Sequence, residues 1–512
     1  MKTRSIVGLA VALGLAALPR AAAAEDGEAL VSAALPAEAP PDRPALARHP
    51  SLALLETGLA IGLNTAWYWW DSTSNARDWD LHWDWPSWRR KLNLELVRFD
   101  NNSYLTNTGS HTAAGTIVYL IGRGNGLGAP ASVLLVVGQS VIWEFVVEFK
   151  EKPSLNDLFN NPLGGLAIGE PMFQLSEFFA RGASNGVNET LAMLFSPVSS
   201  LNAWAGNQRR RPAAEVDGLG LPADVWHRFA LYAGATSTRW TGNEDARTET
   251  QIGLQTELNT LPGYGRPGRR SRFFGPGRLT SIDAALQLTN ERTTGGLLAT
   301  RVALAGYHGQ TLRGAGPEAV RGSSLVLTLA NSFEYANQSR PGLPVDQVAS
   351  FGVLGGTAEY VRRHDRFAAE LRLAAFPDVA MVTSMAGERY QQAFGGGGMK
   401  TVLAERGYYF AYGLSLLSRI ALHYYGFALG LDSRWDRHES FEGLDRMQEQ
   451  VTSDFHLADG LRRQTLWITL LPPHGHGKLA LAFDHTTREG DIGALAAWTV
   501  ERRAALTLGI VF

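Results

Sequence analysis

The sequence predicts an antiparallel β-barrel of the transmembrane type, with about 12 strands, preceded by a small helical domain. Three observations support this fold class. Between residues 226 and 512, apolar and polar residues alternate in about twelve segments of around ten residues, the length of a tilted membrane strand. The last segment ends in an aromatic residue, Phe512. Charged residues make up only 19% of the chain against 45% hydrophobic residues, a balance poor in surface charge for a soluble enzyme.

The alternation gives each predicted strand one lipid-compatible face and one wet face. In residues 251–259, Ile252, Leu254 and Leu258 alternate with polar residues, and several later segments repeat the pattern. A periplasmic sandwich of many strands is the alternative, because alternation alone fits any half-buried antiparallel sheet.

The final segment favours the outer membrane over that alternative. Leu506, Leu508, Ile510 and Phe512 share one face of the predicted strand. This face resembles the C-terminal, aromatic-ended strand by which outer-membrane barrels are recognised by their insertion machinery. We therefore expect the cell outer membrane as the location, and outer-membrane lipid and the barrel-insertion machinery as partners.

The N-terminal segment predicts secretion. Residues 1–24 combine Lys2 and Arg4 with a short apolar run and four closing alanines, which is typical of a signal peptide. Residues 25–50 are rich in alanine and proline and are expected to be a disordered leader. The chain has no cysteine, so neither disulfides nor a lipid-anchoring cysteine is expected. The net charge of −2 and the lack of a basic, aromatic-threaded cluster argue against nucleic acid as a partner.

Residues 51–205 are predicted to form a tryptophan-rich helical domain, joined to the barrel by a linker at 206–225. Seven of the fourteen tryptophans fall between residues 67 and 88. Such crowding suits either a sugar-stacking surface or the boundary between protein and lipid headgroups, and amphipathic indole rings favour the boundary.

Three helices are expected in this domain, at about 111–121, 130–149 and 162–180. The second is apolar enough to suggest a membrane span, but Gln139, Ser140 and Glu144 interrupt it. We expect this helix to lie against protein, with its polar stripe turned inward.

The segment from about 100 to 170 resembles a known family. The residues that carry the resemblance are Asp100-Asn101, Asn107, His111, Gly115, Tyr119, Arg123, Ser140, Trp143-Glu144, Glu148, Pro153-Ser154, Asn156-Asp157, Gly164 and Gly169-Glu170. They are similar to an uncharacterised bacterial family, domain of unknown function 3943, whose members are secreted and often end in a barrel-like region. Thr112 stands where the family usually has proline. The family has no established activity, so the resemblance implies a fold and a cellular location rather than a mechanism.

Helical spacing predicts a candidate site within this segment. Ser140, Glu144 and Glu148 are four residues apart, as are His111, Gly115 and Tyr119, so each set shares one side of a helix. If these helices pack antiparallel through Gly115 and Gly138, an imidazole and two carboxylates converge. The predicted catalytic residues are His111, Glu144 and Glu148, and the predicted substrate-binding residues are Arg123, Ser140, Asn156, Asp157 and Glu170.

Such a convergence suits general acid/base chemistry or a divalent metal. Because no HExxH pattern accompanies the carboxylates, neither a metal nor another cofactor is expected. The alternative is that these groups only satisfy one another, cap helices and tie the helical domain to the polar barrel lumen.

Three functions remain open from the sequence. The favoured one is binding or transport of a small molecule or lipid, with the helical domain as a plug or periplasmic cap. The predicted inward face carries both signs of charge: Glu257, Asp283, Arg301, Glu370, Arg372, Lys478 and Asp484. The others are a membrane-embedded hydrolase or transferase acting on lipid or glycolipid, and a structural envelope protein.

Overall fold

The computed structural model describes residues 46–71, 81–206, 212–242, 245–314, 319–340, 343–395, 400–446, 455–472 and 475–512. The predicted signal peptide and nearly all of the predicted leader lie outside the described residues. Both therefore stay predictions.

Twelve antiparallel strands close into a barrel, as the alternation predicts. The strands are β1 (Trp226–Trp240), β2 (Arg247–Asn259), β3 (Gly268–Phe274), β4 (Leu279–Leu288), β5 (Thr293–Arg313), β6 (Arg321–Arg340), β7 (Leu343–His364), β8 (Phe367–Thr383), β9 (Tyr408–Tyr424), β10 (Phe427–Ser440), β11 (Leu457–Leu470), β12 (Gly477–Ile492) and β13 (Leu495–Val511). Strand β13 pairs with β1 and closes the cylinder. The short strand β3 pairs with β5 beyond the end of β4 and is the one strand outside the ring of twelve.

The period of two places polar side chains inside the barrel and apolar ones outside. On β1, Arg228 and Tyr232 line the lumen, whereas Leu231 between them faces outward and is exposed. On β13, Leu506, Leu508 and Ile510 are likewise exposed on the outer surface. The cylinder is therefore wet inside and apolar outside, which is the pattern of a membrane barrel.

The two ends of the barrel differ in their connections. At the end called here the turn end, two-residue turns at 365–366 and 425–426 join β7 to β8 and β9 to β10. Tyr425 and Gly426 have φ angles of 42° and 84°, as a type I′ hairpin turn requires. At the opposite end, called the loop end, the connections at 384–407 and 441–456 are much longer, although only two residues join β6 to β7 and β12 to β13 there. The one long connection at the turn end, 260–278, contains β3.

Seven described helices precede the barrel and two lie within it in sequence. They are α1 (Pro50–Asp71), α2 (Trp85–Leu92), α3 (His111–Gly124), α4 (Ala129–Ile142), α5 (Leu155–Ala180), α6 (Gly186–Phe195), α7 (Pro197–Trp204), α8 (Gly387–Phe394) and α9 (Thr401–Arg406). A π-helical turn, Thr106–Ser110, precedes α3, and another, Trp143–Val147, extends α4.

Local sequence signals set several of these boundaries. Asp84 caps α2 by accepting a hydrogen bond from the Ser87 backbone N–H at 2.9 Å. Pro130 lies in the first turn of α4, as the sequence predicts. Helix α5 begins seven residues before the predicted start, because Pro162 lies inside the helix instead of opening it.

The helical domain packs against the outer surface of the barrel. Side chains on the outward faces of the strands contact α5: Phe229, Leu258 and Ile282 near Leu175 and Phe178, and Phe333, Phe351, Met381 and Phe410 near Ala167. Helix α5 thus crosses the wall from the turn end of β1 to the loop end of β9. The barrel and the helical region are confirmed, but the helices lie neither in the lumen as a plug nor beneath it as a cap.

Helix α4 with its π-helical extension, Ala129–Val147, is long and apolar enough to cross a membrane, and a third of its apolar window is buried. Its polar residues Ser132, Gln139, Ser140 and Glu144 are buried against the other helices, which confirms the inward polar stripe. Its opposite face, which includes Val137, is exposed and apolar.

Helices α3 and α5 run parallel and in close contact. A Cβ atom on Gly115 would lie 2.0 Å from the backbone oxygen of Asn161. The predicted contact between Gly115 and Gly138 is therefore wrong, since nothing lies within 4 Å of a Cβ atom on Gly138. Helices α3 and α4 approach instead at Gly122 and Ser132.

Gly115 and Gly138 give a matched test of stability. We expect Gly115→Ala to lower the free energy of unfolding by about 1–3 kcal/mol, because the added methyl group separates α3 from α5. The same change at Gly138 meets open space and is expected to be neutral or to stabilise by up to about 1 kcal/mol, since alanine favours a helix interior. Urea unfolding of the two variants in detergent measures both values. Equal effects would contradict the observed packing.

Candidate functional site

The candidate site lies where the helical domain meets the loop end of the barrel. Arg98 and Phe99 form short parallel bridges with Ser154 and Asp445, respectively. The Phe99 N–H donates to the Leu444 oxygen at 2.8 Å. The segment before α3, the start of α5 and the β10–β11 connection are thereby joined.

Three chain segments bring Asp100, His111 and Asp157 together. His111 is the first residue of α3, and Asp157 lies in the first turn of α5, where the helix dipole favours a negative charge. His111 Nδ1 is 3.1 Å from Asp157 Oδ2. One ligand atom from each of the three residues lies within 4.8 Å of the others. Both aspartates are buried, and the His111 side chain is 19% exposed.

Amide groups hold the two aspartates in place. Asn156 Nδ2 donates to Asp157 Oδ1 at 2.7 Å and to Asp100 Oδ2 at 3.2 Å. Asn107 Nδ2 donates to Asp100 Oδ1 at 2.5 Å and to the Tyr408 hydroxyl, on the barrel wall, at 2.8 Å. The cluster is therefore attached to both the helices and the barrel.

Glu144 completes the cluster from α4. It is fully buried and lies beside Asp157, and its Oε2 accepts a hydrogen bond from the Ser154 backbone N–H at 2.5 Å. Its Oε1 has no hydrogen-bond partner among the described residues. The structure therefore brings together the predicted site residues His111, Glu144, Asn156 and Asp157.

Glu148 lies just beyond the regular helix that carries Ser140 and Glu144. The π-helical turn ends the helix at Val147, and Glu148 is the residue after it. Its carboxylate accepts a hydrogen bond from the Trp143 indole at 2.8 Å and lies close enough to Glu144 and Asp157 to interact with both electrostatically. Ser140 lies deeper in the bundle, where its Oγ accepts from Asn161 Nδ2 at 3.1 Å.

Arg123 and Glu170 form a separate network toward the turn end. Arg123 Nε donates to Glu170 Oε2 at 2.8 Å, and the Tyr119 hydroxyl donates to the same oxygen at 2.7 Å. His111 and Arg123 are separated by about 18 Å along α3. The predicted substrate-binding pair therefore does not join His111 in one site.

Sequence reasoning did not select Lys91, Asp100 or Asn107 as site residues. Lys91 is buried, and its Nζ donates to the backbone oxygens of Glu144 and Glu148 at 3.1 and 2.8 Å. Burial lowers the pKa of Lys91 to about 8, although the nearby carboxylates oppose this shift. Lys91 lies in an Arg-Arg-Lys run that reads as a solvated face, whereas Asp100 and Asn107 belong to the residues of the family resemblance.

The barrel lumen is a second candidate site. It holds a cavity of about 1780 Å³ whose lining reaches the turn-end residues 365–366 and 425–426. Several lining charges are paired: Arg228 and Arg372 with Glu257 at 2.8 and 3.0 Å, Arg419 with Asp432 at 2.7 Å, and Arg503 with Asp484 at 2.7 Å. Six lining cations have no ion pair with a carboxylate in the described part of the chain: Arg266, Arg270, Arg301, Arg363, Arg463 and Lys478. The lining carboxylate of Asp283 also has no ion pair there and accepts a hydrogen bond from Gln255 instead.

The connection between β8 and β9, residues 384–407, closes the lumen at the loop end and is called here the gate segment. The Met385 N–H donates to Asp459 Oδ1 at 3.0 Å, and Arg488 Nη1 donates to the same oxygen at 3.3 Å. Tyr390 and Leu403 pack against lumen-facing residues of the wall. None of the described residues of the gate segment lines the cavity, which ends below them.

Comparison with solved structures finds outer-membrane barrels. Omp33 of Acinetobacter baumannii is 11% identical with a TM-score of 0.19, and the alignment covers 56% of this chain and 98% of that one. The β domain of the Bordetella autotransporter BrkA is 12% identical with a TM-score of 0.21, covering 55% and 98%. A Pseudomonas aeruginosa FadL homologue is 8% identical with a TM-score of 0.20, covering 56% and 90%. Scores this low carry no argument, so the fold rests on the strand pairings.

No curated protein matches the chain. The family described as a domain of unknown function, DUF3943, matches residues 96–198. That range begins before Asp100 and ends after α6, so it holds the whole cluster of Asp100, His111, Glu144 and Asp157. Residues 96–198, which hold most of the helical region against the outer wall of the barrel, therefore match the DUF3943 family model.

Proposed function

We propose that this protein is an outer-membrane protein that takes a small anionic solute into its lumen from the periplasm and passes it outward when the gate segment opens. One observation supports this above the others: the cavity of about 1780 Å³ is lined by six cations without an ion pair in the described residues, among them Arg301, Arg463 and Lys478. Paired charges offer no net attraction, whereas Arg301, Arg463 and Lys478 remain available to an anion.

The lengths of the connections between strands support an orientation of the barrel in the outer membrane. Outer-membrane barrels have short periplasmic turns and longer loops on the outside. The two longest connections that contain no strand, 384–407 and 441–456, both lie at the loop end, so by this rule the loop end faces outward and the turn end faces the periplasm. The cavity then reaches the periplasmic side, and the gate segment separates it from the exterior.

Exposed apolar side chains support membrane insertion of both the barrel and the helical domain. Leu506, Leu508 and Ile510 expose an apolar surface on the barrel, and α1 and α4 expose apolar side chains on the helical domain, among them Leu63 and Val137. Because the bundle covers the outward faces of the strands, it lies at the same depth as the bilayer. Outer-membrane lipid is then a partner of the helices as well as of the barrel.

Ion selectivity tests the proposed solute class. We expect the protein without residues 386–406 to conduct in a planar bilayer, with a reversal potential in a KCl gradient that indicates anion preference. Arg301→Gln, Arg463→Gln and Lys478→Gln together should shift that potential toward cation preference, because the unpaired positive charges are lost. The matched control is Arg462→Gln, which removes the neighbouring charge on the outer face.

Folding of the shortened barrel is checked by its heat-dependent mobility on gels. A folded variant that is silent, or that prefers cations before the arginines are changed, contradicts the proposal. An equal shift from Arg462→Gln would show that the lumen charges do not select the ion.

A further inference from the structure

We propose that Asp100, His111 and Asp157 bind a divalent metal ion that fastens the helical domain to the loop end of the barrel. The inference concerns the helical domain and does not depend on transport through the lumen.

The three side chains have the chemistry and spacing of a metal site. Metal–ligand distances of about 2.0–2.4 Å place two ligand atoms no more than about 4.8 Å apart. The ligand atoms of Asp100, His111 and Asp157 satisfy this limit. Two carboxylates and one imidazole form a donor set for a divalent ion such as Mn²⁺, and Asn107, whose Nδ2 donates to Asp100, has an amide oxygen without a partner among the described residues.

The same cluster concentrates three carboxyl groups in a buried site. The carboxyl groups of Glu144 and Asp157 lie side by side in a buried site, and Asp100 is close to Asp157 through their shared partner Asn156. Adjacent buried carboxylates repel unless a proton or a cation lies between them. Two buried cations are nearby, but Lys91 Nζ is directed at backbone oxygens and Arg446 is paired with Glu151 at 2.9 Å.

Buried atoms without partners point to the same place. Glu144 Oε1, Asn107 Oδ1 and His111 Nε2 are all shielded from solvent and have no hydrogen-bond partner among the described residues. Glu144 and Asn107 are themselves fully buried, and each contacts a member of the cluster. Buried polar atoms ordinarily have hydrogen-bond partners. Three buried polar atoms without partners, next to two aspartates, are therefore expected where an ion binds.

The ligands come from separate segments, which gives the ion a structural role. Asp100 belongs to the segment bridged to the β10–β11 connection, His111 begins α3, and Asp157 begins α5. An ion bound by all three would link the barrel to both helices. The ligands are 11 and 46 residues apart, so no local motif such as HExxH signals the site.

The test uses the full-length protein in detergent, stripped with a chelator and titrated with Mn²⁺ while electron paramagnetic resonance measures the free ion. We expect about one saturable site per chain. Asp100→Asn and Asp157→Asn should each weaken binding by on the order of 100-fold, because each removes a ligand oxygen charge. Glu95→Gln, which removes an exposed carboxylate before the same segment, should leave binding unchanged.

A second measurement separates ion binding from a folding defect. Mn²⁺ should raise the melting temperature of the wild-type protein and of Glu95→Gln, but not that of Asp157→Asn, because only a bound ion stabilises the folded state. Absence of saturable binding by the wild-type protein would overturn the proposal and leave shared protons as the balance for the carboxylates. Equal binding by wild type and Asp157→Asn would overturn it as well. Neither result bears on the ion selectivity of the lumen, so the two proposals fail independently.

Discussion

Val137→Arg is expected to remove most of the folded protein from the outer membrane, whereas Val216→Arg leaves it in place. Val137 lies near the middle of α4 and is 38% exposed on the face that points away from the bundle. An arginine at the centre of a bilayer costs about 2.5–3.5 kcal/mol on insertion scales. That is a large part of a typical stability of about 5–15 kcal/mol.

Val216 is the matched control. It has a similar exposure of 44% but lies in the linker before β1, at the turn end, where its surroundings are water. The measurement is the amount of heat-modifiable, folded protein in outer-membrane fractions, with Val137→Ala as a check on lost packing. Equal folded yields for the two arginine variants would show that the exposed face of α4 meets water, and the bundle would not be embedded in lipid.

The strands were predictable from the sequence because their side chains obey one local rule. Alternation over 251–259 or 506–512 depends only on the two faces of a strand, and both segments are strands in the barrel. The position of the helical domain was not predictable in this way. Phe229 and Phe333 fit the outward apolar pattern whether lipid or a helix covers them, and only the fold shows that α5 does.

The sequence predicted part of the candidate site, but the helix contact on which that prediction depended is not the one observed. His111 and Glu144 do converge, but through packing of α3 on α5 instead of a contact between Gly115 and Gly138. The π-helical turn after α4 ends the helix just before Glu148, and a fixed spacing of four residues cannot anticipate such a turn. Asp100 reaches the site through a bridge to a barrel loop more than 300 residues away, which no local pattern encodes.

The closure of the lumen by the gate segment had no sequence signal either. Residues 384–407 lack a long periodic pattern, and their two helices are short. Their position follows from contacts with several different strands: Met385 contacts Asp459 on β11 and Arg340 on β6, and Arg389 contacts Ala496 on β13. The role of the gate segment is therefore best tested by restraining this segment in the intact chain.

A disulfide across the gate segment is expected to abolish the rare openings of the full-length channel. A Cβ atom on Gly490 would lie 2.9 Å from the Met385 Cβ, and disulfides have Cβ separations of about 3.8 Å, so a shift of about 1 Å accommodates the bond. Because the chain has no native cysteine, Met385→Cys with Gly490→Cys introduces one defined pair. We expect the open probability to fall at least about tenfold on oxidation and to return on reduction, since a covalent bond removes the open state from the equilibrium.

Each single cysteine variant serves as a control, because neither can form the bond within the chain. Gel mobility before and after reduction confirms that the disulfide has formed. If the oxidised and reduced double variants conduct alike, the gate segment does not control the lumen. If neither form conducts at all, the charges of Arg301, Arg463 and Lys478 face a binding pocket instead of a path, because a lumen sealed at the loop end has only its turn end through which a solute can enter and leave.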